Sequence, residues 1–183
     1  MKLKWFNRNN GGGDNANVRA VQGDITTLHV DAIVNAANEQ MRGGGGVDGS
    51  IHRAAGSGLL QEEIDEHPDG CPTGEARVTN GHKLPAKWII HTVGPRWSGG
   101  DQSEPELLAS CYRECLLAAA HIGARSVAFP AISTNIFGYP PAKAAPIAVN
   151  SVREFLERED HRIDEVILVG YTSESFGLYK DLL

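Results

Sequence analysis

The sequence predicts an α/β fold, a three-layer α/β/α sandwich around a central mixed, largely parallel sheet, and three observations carry that expectation. Short apolar runs of strand length alternate with segments of helical spacing along most of the chain. One run, "DAIVNAA" (Asp31 to Ala37), is apolar enough for a strand covered on both faces, as parallel sheets require. Two loops, "MRGGGGVDG" and "STNIFGYP", each join a strand to the start of a helix, the place where sheets of this kind hold their ligands.

Taken in order, Met1 to Phe6 is a short segment followed by the turn-rich "NRNNGGGDNAN", a loop between strands or a linker behind a leader. Residues 1–17 therefore read as an N-terminal leader or edge segment and 18–183 as one domain. "VRAVQ" (Val18 to Gln22) and "DAIVNAA" are strands. From Asp48 to about Glu66 the spacing of Ile51, Ala54, Ala55, Leu59 and Leu60 is helical, with Gly56 and Gly58 weakening the middle. "EARVTNG" and "KWIIHTVGP" are strands around a turn. "SEPELLASCYRECLLAAAHIG" is a helix with Pro105 in its first turn, Gly123 at its end and a buried stripe of Leu107, Leu108, Cys111, Cys115, Ala118 and Ala119. "SVAFPAI" is a strand, Pro140 to Glu159 a helix, "EVILVGY" the last strand, and Phe176, Tyr179 and Leu182 mark a terminal helix. No internal repeat is visible.

At 183 residues the chain can bury one good core and is too short for two ordinary domains. Its net charge of -6 excludes a surface built to neutralise a nucleic-acid backbone. Any phosphate is then held locally. Three cysteines without the spacing of a secreted scaffold fit a reducing compartment. Cys111 and Cys115 could ligate from one helix face, but no Cys or His completes a zinc set, and a packed apolar face is the expected use. The amino end does not read as a signal peptide, and no apolar run reaches membrane-spanning length. A cytoplasmic monomer with no membrane partner and no metal is expected.

Both loops end where unpaired backbone N–H groups and a helix dipole favour an anion. Glycine admits close approach and positive φ, so the N–H groups around Gly43 to Gly46 can converge on one phosphate. A flexible loop is the plain alternative. Neither loop is G-x-x-x-x-G-K-[ST] or G-x-G-x-x-G with the acidic residue it needs. Two such loops could grip a diphosphate from both sides.

"VQGDIT", "DAIVNAAN", "GGGGVDGSIHRAAG", "CPTGEARVTNG", "WIIHTVGPRW" and "STNIFGYP", in that order, resemble the macrodomains that bind ADP-ribose, and most of all the MacroD-type hydrolases. The resemblance covers the chain from about Val18 to its end. It implies that Asp24 accepts a hydrogen bond from the adenine amine, with Ile25 offering a backbone N–H and apolar contact; a turn or N-cap role is the alternative for Asp24. It places Asn38 on the distal ribose and has Asn35 brace the loop through backbone contacts. Gly44, Gly45, Gly46 and Val47 would line one side of the diphosphate, and Ser133, Thr134, Asn135, Ile136 and Phe137 the other. Phe137 would also pack on the distal ribose, or else plug the space between helix and sheet. Tyr171 matches an aromatic beside adenine, with core packing as the alternative. His52 resembles a supporting position near the site, while His67, His82 and the other histidines show no partner.

Asp48 separates an enzyme from a reader. It is either a helix cap, worth about 1 kcal/mol, though Ile51 completes no capping box, or, by resemblance, the carboxylate beside the scissile ester. In the second case Asn38 and Asp48 serve hydrolysis of mono-ADP-ribose from Glu or Asp side chains and of O-acetyl-ADP-ribose. Asp48 would activate water, or the substrate diphosphate would do so while Asp48 and Asn38 fix the sugar. No cofactor is implied, and the partners are ADP-ribose and ADP-ribosylated proteins. A non-catalytic ADP-ribose reader and ADP-ribose removal from nucleic-acid ends are the alternatives. One departure stands out: Asn135 occupies a place where such hydrolases usually have glycine, and Asn is among the residues that tolerate a left-handed backbone.

Overall fold

The computed structural model describes residues 4–6, as backbone, and 16–183. The order of elements is β1 (Lys4–Phe6), β2 (Asn17–Gln22), a 3-10 turn (Ile25–Thr27), β3 (Ala32–Ala36), α1 (Gly46–Ala55), α2 (Ser57–Glu66), β4 (Ala76–Asn80), β5 (Trp88–Thr92), α3 (Glu104–His121), β6 (Ser126–Phe129), α4 (Pro141–Arg158), β7 (Glu165–Gly170) and α5 (Ser173–Leu182). The turn-rich stretch expected after Phe6 lies, for residues 7–15, outside the described residues.

The strands form one seven-stranded sheet in the order β1-β2-β7-β6-β3-β5-β4. Pairings β2 with β7, β7 with β6, β6 with β3 and β3 with β5 are parallel, and the outer pairs β1 with β2 and β4 with β5 are antiparallel. Because strand side chains alternate, each inner strand feeds two cores. Ala20, Val34, Ile90, Phe129, Val166 and Leu168 pack against α3, α4 and α5. Val21, Ile33, Ile89, Ala128 and Ile167 pack on the other face with Ile51 of α1 and Leu59 of α2.

Two sequence expectations change here. The helix expected from Asp48 to Glu66 is two helices, broken where Gly56 takes φ 87° and ψ 178°. The break brings Ala55 C=O to Lys83 N–H at 3.3 Å, and turns α2 across β4. The buried stripe of α3 is Leu108, Cys111, Tyr112, Cys115, Leu116 and Ala119, while Leu107 and Ala118 are half-buried. The helix sits over the sheet edge and under α4 at once, so its buried arc is wider and rotated toward Tyr112 and Leu116. The cysteines of that stripe are free and buried.

Between β6 and β3 the chain leaves the sheet in opposite directions, toward α4 on one face and α1 on the other. A crevice opens there at the carboxyl ends of the strands. On its flank, a Cβ at Gly170 would lie 2.2 Å from Phe176 N, where the first turn of α5 folds back over β7. Gly170→Ala should therefore cost about 1–3 kcal/mol of stability, read as a lower urea midpoint with an unchanged slope.

Candidate active site

The crevice is a cleft of about 700 Å³, within the range of small-molecule sites. The loop after β2 contributes Asp24 and Ile25, the end of β3 contributes Asn38, and Gly44 to Asp48 lead into α1. Ser133 to Phe137 close the opposite wall, and Tyr171 stands at the far end. Fourteen of the sixteen sequence-derived site residues thus share one cavity; Asn35 and His52 lie behind it.

The first wall is backbone. Gly45 caps α1 with no side-chain bond, and Gly49 N–H reaches Gly45 C=O at 3.2 Å. The N–H groups of Gly46, Val47 and Asp48 thus precede the helical ladder. Gly46 needs its φ of 58°, whereas Gly44 needs space: a Cβ there would lie 3.1 Å from Asp48 Oδ2 and 3.5 Å from Asn38 Nδ2. Asn38 Nδ2 donates to Gly43 C=O at 2.9 Å, and Asn38 Oδ1 is buried with no partner among the described residues.

The second wall is a clamped loop. Tyr139 N–H donates to Ser133 C=O (2.9 Å), Thr134 Oγ1 to Ala131 C=O (2.9 Å) and Trp97 N–H to Phe137 C=O (2.8 Å). Among the described residues no backbone group takes up the N–H of Asn135, Ile136 or Phe137. The loop offers more donors on this side than α4, since Pro141 has no N–H and Lys143 and Ala144 N–H both bond Pro140 C=O. The left-handed residue is Ser133, at φ 66°. Asn135 has no positive φ, which corrects the backbone role expected for it; its side chain is exposed on the rim. Ser133 Oγ is buried without a partner among the described residues, and a Cβ at Gly94 would fall 2.0 Å from it.

Asp48 is not a cap. It lies in the third position of α1, 4% exposed. Its Oδ1 accepts from Asn35 Nδ2 (2.7 Å) and lies 3.1 Å from His52 Nδ1, so Oδ2 is the oxygen beside Gly44. Asn35, fully buried, therefore braces Asp48 by its side chain rather than the loop by its backbone. Its amide also donates to His91 Nδ1 (3.1 Å), because the parallel register sets Asn35 beside His91. His91 Nε2 meets Thr79 Oγ1 at 2.8 Å, and His52 Nε2 meets Glu63 Oε2 at 2.9 Å. His67 and His82 also have partners, Val78 C=O and Glu62.

The remaining residues take the following places. Asp24 Oδ1 caps the 3-10 turn through Thr26 N–H (2.9 Å) while Asp24 also lines the cleft. Phe137 packs on Ala37, Met41, Cys71 and Val93 with the Arg96 guanidinium 4.3 Å above its ring. Tyr171 is 68% exposed and belongs to no core. Sequence reasoning missed Glu63, His91 and Thr79, whose pairing is set by tertiary contact, and Thr172, Glu174 and Ser175, which line the cleft from α5 and its cap. Among the described residues no group of three or more His, Cys, Asp or Glu could hold a metal, and no helix is long and apolar enough to cross a membrane.

A family model described as Macro domain matches residues 34–148. The chain belongs to the macrodomain family. This macrodomain is 54% identical to a Macro domain-containing protein of Methanosarcina mazei over 91% of this chain and 87% of that one. It is 52% identical to the O-acetyl-ADP-ribose deacetylase of Salmonella typhimurium over 91% and 93%. Among solved structures it is similar to the Oceanobacillus iheyensis macrodomain with ADP (TM-score 0.89, 38% identity, 99% and 95% covered). It is also similar to the Trypanosoma brucei macrodomain in complex with ADP-ribose (TM-score 0.83, 40% identity, 90% and 68% covered).

Hydrogen bonds to Asp48 and then Glu63 push His52 up to about 10, against desolvation, and burial pushes His91 down to about 3. The two contributions to stability have opposite signs. That of His52 is complete below the unfolded value of about 6.5 and is lost as pH rises through about 10. That of His91 is complete above about 6.5 and is lost as pH falls toward about 3. The macrodomain's network should be most stabilising near pH 6.5. Ring NMR should show His52 protonated and His91 neutral across pH 6 to 8.5; a His52 ring titrating near 6.5 would contradict the geometry.

Proposed function

We propose that this macrodomain hydrolyses esters on the distal ribose of ADP-ribose, releasing mono-ADP-ribose from modified Glu or Asp side chains and acetate from O-acetyl-ADP-ribose. Support for the ester class comes from the relatives named O-acetyl-ADP-ribose deacetylase, and for the ligand from neighbours bound to ADP and ADP-ribose. The observation that carries the hydrolytic reading is the state of Asp48: one carboxylate oxygen tied to Asn35 and His52, the other beside Gly44 in the cleft wall. A group so held is a fixed proton acceptor for water.

In this reading adenine lies toward Asp24, Ile25 and Tyr171, its amine donating to the Asp24 carboxylate. The diphosphate crosses between the N–H groups of Gly46 to Asp48 and those of Asn135 to Phe137, where fixed dipoles replace a lysine. The distal ribose meets Asn38, whose unpartnered Oδ1 accepts from a sugar hydroxyl, and the face of Phe137. Water then adds to the ester carbonyl carbon with its proton passing to Asp48 Oδ2; the bond to the ribose oxygen breaks, that oxygen takes the proton back from Asp48, and the carboxylic acid leaves. Binding at the diphosphate aligns the ester beside that oxygen, so alignment and proton transfer act together.

Asp48→Ala should lower kcat by about 10²–10⁴-fold while the Kd for ADP-ribose, by calorimetry, stays within a few-fold. The substrates are O-acetyl-ADP-ribose and a Glu-linked mono-ADP-ribosylated protein. Wild-type protein that binds ADP-ribose tightly yet retains all label would reduce the domain to a reader. Asn135→Gly should leave kcat within about threefold, as for an exposed side chain without a backbone role. A large rise would mean that Asn135 obstructs the water.

A further inference from the structure

Both ring nitrogens of His52 face acceptors. Nδ1 is 2.9 Å from Asp48 C=O and 3.1 Å from Asp48 Oδ1, and Nε2 is 2.9 Å from Glu63 Oε2. With Glu63 as a carboxylate, each nitrogen carries hydrogen and the ring is an imidazolium, in keeping with the raised value of His52. Its second grip comes from α2, across the break at Gly56, and from a carboxylate that is fully buried.

Folding alone does not account for Glu63. Its Oε1 is buried without a partner among the described residues, 3.4 Å from His91 Nδ1, and that nitrogen already accepts from Asn35. His91 is neutral, so the approach is no ion pair. A half-satisfied buried carboxylate is costly, and an apolar side chain of the same volume is commonly as stable or more so. The groups facing His52 are Asp48 on its own helix, Glu63 on α2 and neutral His91 behind them on β5; Arg53 turns instead to Ser50 Oγ at 3.2 Å.

We propose that Glu63 is a positioning residue for the hydrolysis: it holds the His52 imidazolium by Nε2 so that Nδ1 stays on Asp48, leaving Asp48 Oδ2 directed to the substrate water. The inference rests on the hydrolase reading of the site. The positive ring keeps a negative Asp48 in a nearly water-free place, and Glu63 keeps the ring positive. The line of groups runs from the cleft through Asp48 and His52 to Glu63, and Glu63 itself touches no part of the cleft.

The test is Glu63→Gln. The amide keeps the volume and can still accept from His52 Nε2, so the variant should fold and melt cooperatively. Only the charge is removed. With O-acetyl-ADP-ribose as substrate, kcat at pH 6.5 should match wild type within about twofold, and the fall in kcat on the alkaline side should move to lower pH by about one unit or more. KM and the Kd for ADP-ribose should not move, and ring NMR should show His52 losing its proton over the same lowered range. In a His52→Ala background the further Glu63→Gln change should have no effect.

An unaltered pH profile, or a loss of kcat equal at every pH, would overturn the positioning role while leaving the hydrolase reading intact. Wild-type protein inactive on both esters would remove the hydrolase reading and this role with it. Should Glu63→Gln fail to fold, Glu63→Met, of similar volume and without charge, takes its place with the same expected alkaline shift.

Discussion

Asp48 carries a carboxylate out of water in the first turn of a helix, and much of the site's construction follows from making that tolerable. A buried charge needs opposite charge and hydrogen bonds on the oxygens that do no other work. Asn35 supplies a neutral donor from β3 and His52 a positive one from the next turn of α1. Each in turn has to be held. Asn35 is steadied by His91 because β3 and β5 run in parallel register with those two residues side by side, and His52 is steadied by Glu63 because α2 folds back after Gly56. The sheet register and the helix break therefore converge on one oxygen.

The cleft wall obeys a different constraint. An acidic chain can hold an anion only through dipoles placed at short range, and those dipoles need backbone that no side chain covers. The four glycines are not interchangeable in this respect. Gly46 is used for its positive φ and Gly44 for the absence of a Cβ beside Asp48, whereas a Cβ at Gly45 would only touch Ile136 Cδ1 at an ordinary 3.5 Å. The two loops thus approach each other over the cleft through a bare backbone on one side and an exposed isoleucine on the other.

The facing loop carries its strain at Ser133 rather than at Asn135. Tyr139, Trp97 and Thr134 tie it on three sides, and Gly94 leaves the space that Ser133 Oγ occupies. A residue in the left-handed region costs energy that the surrounding bonds must offset, and the bonds to Ser133 C=O and Phe137 C=O are placed to do that. Position 135 consequently has an ordinary backbone and an outward side chain, which is why a polar residue fits there.

Strand and helix periodicity and turn residues were enough to read the three-layer sandwich and its two ligand loops from the sequence, because those signals are local: alternation along β3, glycine before α1, a polar loop before α4. The individual site residues, fourteen of which line one cleft, came from the resemblance to macrodomains. Local signals could not separate a cap from a buried acid at Asp48, or tell which residue of the second loop would be left-handed. Nor could they find Glu63, His91 and Thr79, since partners 11 to 56 residues apart in sequence become neighbours only when α2 crosses β4 and the strands take their register. The sequence by itself determined the alternation, the glycine cradle and the acid at its entrance. Tertiary structure alone decided how that acid is charged and aimed, because burial and long-range partners set the state of an ionisable group and no local pattern encodes either.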